Sequence, residues 1–183
     1  MWLSAFRRDG RNPLEPSRIG GRWDLGDARD GYDVLYTTMD PDGAIAEVEY
    51  HLSQQPVFPS RTRRSLHTIR ARASTVITLK TIDDLIALGV ERTRYREPLY
   101  ERTEEIGDAV AFLACDALIV SSALWSGLNV VLFLGALDSE ALKLIGKSVP
   151  IDWDTWRVEH STRHGDVFSR PGQIGMTLRS RPA

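Results

Sequence analysis

The sequence predicts an α+β fold: one compact domain over residues 1–157, mixing short strands with flanking helices, then a polar, arginine-rich tail over 158–183. Three observations carry this. The chain has 183 residues and 20.6 kDa, the size of one domain that can bury a sizeable core without disulfide or metal staples. Hydrophobic residues make up 42% and charged residues 26%, ordinary usage that excludes a disordered chain. Short β-prone runs and helical patterns also follow one another without the regular βαβ rhythm of a doubly wound sheet.

The first 31 residues, rich in Arg, Gly, Asp and Pro, read as loop and carry Ile19-Gly20-Gly21-Arg22-Trp23. Residues 33–38 form a short β-prone run. A helix follows: Asp40 can cap it, Pro41 suits its first position and Asp42 complements its positive end, with Pro56 stopping it near Gln55. Ile45, Val48 and Leu52 recur at helical spacing toward the core, with Glu47 on one shoulder of that stripe and Glu49 on the other. Residues 66–80 read as one or two strands, and residues 83–88 as a short helix ended by Gly89. A helix over residues 103–114 starts on a capping threonine, Thr103, and residues 117–120 and 129–134 are buried strands. Residues 138–144 are expected to be helical, and after His160 few core residues remain.

The net charge of −2 and a pI near 6.1 give no global positive field for nucleic acid. The single cysteine, Cys115, excludes an intramolecular disulfide and a multi-cysteine metal site, fits a reducing compartment, and reads as a small core residue. No stretch reaches the roughly 18 consecutive apolar residues of a membrane span. The N-terminus meets charge at once, without the apolar core of a signal peptide, so the expected location is the cytoplasm.

Most chemistries find no support. His160 and His164 have the i, i+4 spacing of a metal pair but no third ligand nearby, so no metal is expected. Gly-x-Ser-x-Gly and P-loop patterns are absent. Arginines crowd two segments, Arg61, Arg63, Arg64, Arg70 and Arg72, then Arg92, Arg94 and Arg96. A solvated or partner-docking face explains them more simply than RNA, because interleaved aromatics are thin there. Trp2, Trp125, Trp153 and Trp156 fit a core or a partner-facing surface equally well.

A dispersed set is more informative: Gly21-Arg22-Trp23, Tyr36, Glu47, and Ser122 with Gly127 and Asn129. Singly these read as an ion-pair member, a core aromatic, a solvated helix residue and a turn former. In order, they resemble the RES domain family. That family has Gly-Gly-Arg-Trp in a loop, then Tyr-Thr ending a strand, with a glutamate eleven positions after the tyrosine on a helix; here Tyr36-Thr37 precedes Glu47 by that spacing. The family's later apolar strand ends in Pro-Ser-Ala, followed by a glycine-containing loop, Asn and another apolar strand. Here residues 116–133 follow that pattern, with Ser121 in the place of proline; Ser122 is the match and Ser121 its rival. The Arg22–Tyr36 gap is longer than usual, which implies an insertion within residues 24–33.

The resemblance implies a fold similar to ADP-ribosyltransferase toxins and makes residues 1–157 the catalytic domain. It implies a toxin of a toxin–antitoxin pair that cleaves the nicotinamide–ribose bond of NAD⁺ by hydrolysis or phosphorolysis. NAD⁺ would be substrate rather than cofactor, with inorganic phosphate as a co-substrate of the second route. A protein-directed ADP-ribosyltransferase and a non-catalytic nucleotide- or partner-binding module stay open as alternatives. The implied partner is an antitoxin covering the active site and carrying a helix-turn-helix DNA-binding domain; the chain itself would bind neither nucleic acid nor membrane. Bond cleavage builds positive charge on the ribosyl centre, which a carboxylate facing it stabilises. Glu47 is assigned that role, Arg22 a forked grip on phosphate or ribose oxygens, and Ser122 a hydrogen bond to carboxamide or ribose. Tyr36 would stack on nicotinamide or orient it by its hydroxyl, and Asn129 would support the Ser122 loop.

Overall fold

The structure, a computed structural model, describes residues 1–167 except 18, 27, 28, 30, 60 and 99, and residues 161–167 by backbone alone. The chain divides into two units, Met1–Ile151 and the segment from Asp152 onward. The first is α+β. Its elements in chain order are β1 (Trp2–Arg8), β2 (Val34–Thr38), α1 (Pro41–Ser53), β3 (Arg64–Ala71), β4 (Val76–Leu79), α2 (Ile82–Ala87), α3 (Glu101–Phe112), β5 (Ala117–Ser121), β6 (Leu128–Phe133) and β7 (Leu142–Pro150).

The strands form one seven-stranded mixed sheet in the order β4-β5-β6-β2-β1-β3-β7. Only β4 and β5 run parallel, and α2 and α3 lie between them in sequence, the long crossover that parallel pairing demands. Central strands β2, β5 and β6 are covered on both faces, which is why they read as near-continuous apolar runs. One face carries Val34, Leu118, Val120, Val131 and Phe133, packed with Trp23 and with Leu85, Ile106 and Val110 of α2 and α3. The other carries Leu3, Ala5, Leu35, Ile69, Val130 and Leu132.

Four sequence expectations are corrected. The segment read as loop contains β1, paired along its whole length with β3 from Trp2↔Arg70 to Arg8↔Arg64. Partners on both sides bury Leu3, Ser4, Ala5 and Phe6 and override the charged, glycine-rich sequence that follows. The helix expected over 138–144 is a turn leading into β7, where edge pairing of Leu142–Ile145 with Thr68–Ala71 outweighs local helix propensity. Thr103 does not cap α3. That helix starts at Glu101, and the Thr103 hydroxyl bonds back to the Tyr100 carbonyl at 2.9 Å. On α1, Glu49 is buried while Val48 is only half-buried, so the covered face is rotated from the expected stripe toward Ala46 and Glu49.

Other expectations match. Asp40 caps α1 through the Asp42 N–H at 3.2 Å, with Pro41 in the first turn. Gly89 follows α2 at φ +88°, and Cys115 is buried after α3.

The second unit begins with α4 (Trp153–Val167), which runs through residue 158. In it His160 Nδ1 lies 2.8 Å from the Trp156 carbonyl and its ring stacks on Trp156. The His164 side chain and residues 168–183, most of the expected tail, lie outside the described residues. No described helix is long and apolar enough to cross a membrane.

Candidate active site

The loop joining β5 to β6 faces α1 across the end of β2. Thr38 pairs with Asn129, so the ends of β2, β5 and β6 meet where α1 begins. From α1, Glu47 reaches this corner: its Oε1 accepts hydrogen bonds from the Ser122 hydroxyl at 2.7 Å and the Asn129 amide at 2.8 Å. The Ser122 oxygen in turn accepts the Leu124 and Trp125 N–H groups, both at 3.0 Å, and the Ser122 N–H donates to the Gly127 carbonyl at 2.9 Å. That fixes the hydroxyl proton on Glu47. Glu47 Oε2 has no partner among the described residues. Trp125 locks the loop onto α1, its indole N–H donating to the Asp40 carboxylate. A Cβ at Gly43 or at Gly127 would sit 3.2 Å from the indole Cδ1, a tight contact that would press on the ring.

Arg22 approaches from another direction. Residues 21–24 form a tight turn closed by the Gly21 N–H to the Asp24 carbonyl at 3.0 Å. The fully buried Asp24 carboxylate accepts the Gly26 N–H at 2.8 Å and the Tyr36 hydroxyl at 2.7 Å, while the Tyr36 oxygen accepts the Trp23 N–H at 3.0 Å. A Cβ at Gly21 would come within 2.7 Å of that hydroxyl, so glycine is required for Tyr36 to reach the turn. Burial first, and then the Asp24 charge and hydrogen bond, hold the Tyr36 phenol well above its ordinary range. The Arg22 guanidinium lies over the rings of Tyr95 (4.9 Å) and Tyr100 (4.7 Å), with one long contact of 3.5 Å to the Glu97 carbonyl. It lines a cleft with Val90, Tyr95, Arg102 and Thr103.

Tyr95 links the two sides. Its ring carries Arg22 and its hydroxyl donates to the Ser121 carbonyl at 2.6 Å, next to the serine that holds Glu47. Burial pushes the Tyr95 phenol up to about 12; the Arg22 charge and the Ser121 side chain oppose the rise and the Glu47 charge adds to it. The structure therefore joins Glu47, Ser122 and Asn129 by direct hydrogen bonds and connects Arg22 to them through Tyr95 and Ser121. Glu47 does not line the Arg22 cleft. Of the adjacent serines, Ser122 gives its hydroxyl to Glu47, whereas Ser121 contributes its carbonyl. Tyr36 donates a hydrogen bond to Asp24 and so builds the Arg22 turn.

Tyr95, Tyr100, Asp24 and Trp125 were not singled out as site residues in the sequence. Asp24 directly follows the Gly-Gly-Arg-Trp run and was the most accessible signal. Tyr95 sits inside Arg92-x-Arg94-Tyr-Arg96, where its neighbours made the segment read as a solvated face. Among the described residues no group of three or more His, Cys, Asp or Glu could hold a metal ion.

The first unit resembles solved structures. One is a chain of the M. tuberculosis MbcT–MbcA toxin–antitoxin complex, with a TM-score of 0.74 at 19% identity, covering 87% of this chain and 88% of that one. Comparison with curated proteins gives no significant match. The sequence profile of the RES domain matches residues 4–154, a span holding every residue of the Glu47 and Arg22 clusters. The chain therefore belongs to the RES domain family.

Proposed function

We propose that this protein is the toxin of a toxin–antitoxin pair and cleaves the nicotinamide–ribose bond of NAD⁺. The observation that carries the reading is Glu47, a carboxylate with Oε1 held by two donors and Oε2 free among the described residues, on the Tyr95-bridged side of Arg22. A carboxylate fixed in advance stabilises charge at a reacting centre without reorganising during the step.

In this reading Glu47 Oε2 faces the ribose as the C1′–N bond breaks and the ribosyl centre gains oxocarbenium character. Nicotinamide leaves with the bonding electron pair as a neutral ring, so no strong general acid is needed. Water or inorganic phosphate adds to C1′ and loses a proton, giving ADP-ribose or its phosphorylated counterpart. Ser122 and Asn129 keep Oε1 occupied and so aim the other oxygen. Arg22 exchanges its weak tyrosine contacts for forked hydrogen bonds to a phosphate or ribose oxygen. Tyr36 acts on the substrate through its ring and on Arg22 through the turn it holds.

The partner is an antitoxin that covers this site, with a helix-turn-helix domain for DNA, and the work takes place in the cytoplasm. The solved relative's toxin–antitoxin assembly supports the partner. Incubating purified protein with NAD⁺, with and without phosphate, tests the reaction. Nicotinamide release with free ADP-ribose identifies hydrolysis, and a phosphorylated product identifies phosphorolysis. Label retained on protein would move the assignment to ADP-ribosyl transfer, and no release would leave a binding module.

A further inference from the structure

Two groups of described arginines stand in contrasting surroundings. Around α2 and α3 they are neutralised internally: Arg92 pairs with Asp83, Arg94 with Glu91 and Glu97, Arg102 with Glu105, and Arg29 with Glu104. At the far end of β1 and the start of β3 they are not. Arg7, Arg8, Arg61, Arg63 and Arg64 have no carboxylate within ion-pair distance among the described residues. The nearby acids pair with none of the five: Glu15 lies 3.8 Å from Arg11, and Asp9 accepts the Ser65 hydroxyl at 2.8 Å.

This concentration of charge is built into the sheet. Arg8 and Arg64 are direct cross-strand partners, a like-charge pairing that destabilises an antiparallel ladder. Arg64 Nε is buried with no acceptor among the described residues. Burial, and then their arginine neighbours, lower the affinity of both Arg7 and Arg64 for their protons, with Glu15 offsetting part of this at Arg7. Arg8, Arg61 and Arg63 are exposed.

We propose that this patch is a docking surface for a carboxylate-rich segment of a partner protein. Every cation in it is arginine, whose planar fork matches carboxylate oxygens two at a time. It spans two strand ends and one turn, room for a few carboxylates rather than the track of a nucleic-acid backbone. None of its five residues has an aromatic neighbour in sequence exposed for base stacking, apart from the buried Phe6, and the chain as a whole is acidic. Four residues along β1, about 13 Å at strand rise, separate Arg8 from Ser4, which pairs with Thr38 at the Glu47 corner. Arg7 alone reaches toward the candidate active site, its guanidinium donating to the Tyr36 carbonyl at 3.5 Å; the exposed Arg8, Arg61 and Arg63 lie apart from it, and the proposal does not depend on the reaction assigned there.

The test is fluorescence anisotropy with a labelled oligoglutamate peptide and, in parallel, a single-stranded DNA oligomer of equal charge. The expected result is peptide binding at low salt that weakens at least about 10-fold in Arg61→Glu/Arg63→Glu, with less than about 2-fold change in the internally paired Arg94→Glu. Arg8→Glu/Arg64→Glu should weaken it further; the exposed turn pair keeps the test decisive if that strand variant fails to fold. Nicotinamide release should be the same in wild type and Arg61→Glu/Arg63→Glu. Absence of peptide binding, equal loss in Arg94→Glu, or tighter arginine-dependent binding of the DNA would overturn the proposal. Failure of wild type to release nicotinamide would count against the proposed reaction alone.

Discussion

The two sides of the candidate site are held by opposite means. Glu47 projects from a capped helix onto a sheet corner, and its two hydrogen bonds are charge-assisted, each worth about 1.5–3 kcal/mol. Arg22 sits on a turn whose backbone is firmly fixed through Asp24 and Tyr36, yet its head group rests on two aromatic faces and one long carbonyl contact. Cation–π contacts at such partly exposed sites are worth about 0.5–1 kcal/mol each. The carboxylate is fixed before substrate arrives. The guanidinium rests on weak contacts, which in the proposed reaction it leaves for a phosphate at little cost. That asymmetry suits the proposed reaction, whose carboxylate must be positioned in advance while its clamp must admit a large dinucleotide.

Breaking the rigid side should have the largest effect. Glu47→Ala is expected to fold and to lose at least about 100-fold in nicotinamide release, the scale for deleting one preorganised electrostatic group; circular dichroism alongside the rate assay checks both parts. Arg22→Lys, which keeps charge but loses the fork, should raise KM by about 10-fold with a smaller fall in kcat, read from initial rates over an NAD⁺ series. Tyr95→Phe keeps the ring under Arg22 and removes only the bond to Ser121. A fall in kcat of about 5-fold with KM little changed is expected, consistent with losing one hydrogen bond of about 1 kcal/mol. Equal changes in KM and kcat would place Tyr95 on the binding side instead.

The pH dependence sharpens the same contrast. The Tyr95 phenol is raised from 10.0 to about 12, so the folded state keeps its proton where the unfolded state releases it. Protons bound by the folded state exceed those bound by the unfolded state between these values, and stability falls as pH rises through that window. The contribution, complete below pH 10, is about 3 kcal/mol in order of magnitude. Tyr36 acts in the same direction. Denaturant midpoints measured from pH 9 upward should decline from about 10, and Tyr95→Phe should lessen that decline.

Much of this geometry was legible in the sequence because it rests on local signals. Asp40-Pro41 announced the start of α1, and the apolar runs of β2, β5 and β6 announced the buried centre of the sheet. The order Arg22, Tyr36, Glu47, Ser122, Asn129 points to the candidate site. Illegible were features made by pairing partners distant in sequence. β1 reads as loop because its two neighbours, β2 and β3, lie about 30 and 60 residues on. The start of β7, residues 142–144, reads as the end of a helix because only the ladder with β3 makes it a strand. Tyr95 was hidden for a related reason: its importance lies in touching Arg22 and Ser121, and neither contact leaves a mark on its own neighbours.

The central claim is that Arg22 and Glu47 serve one dinucleotide. It is tested most directly by calorimetric titration of NAD⁺ into Glu47→Ala, which should bind without turning over, and into Glu47→Ala carrying Arg22→Ala. The expected result is measurable affinity in the first that weakens at least about 10-fold in the second, the loss of a forked charge-assisted contact. Equal affinity in the two variants, both folded, would contradict the account.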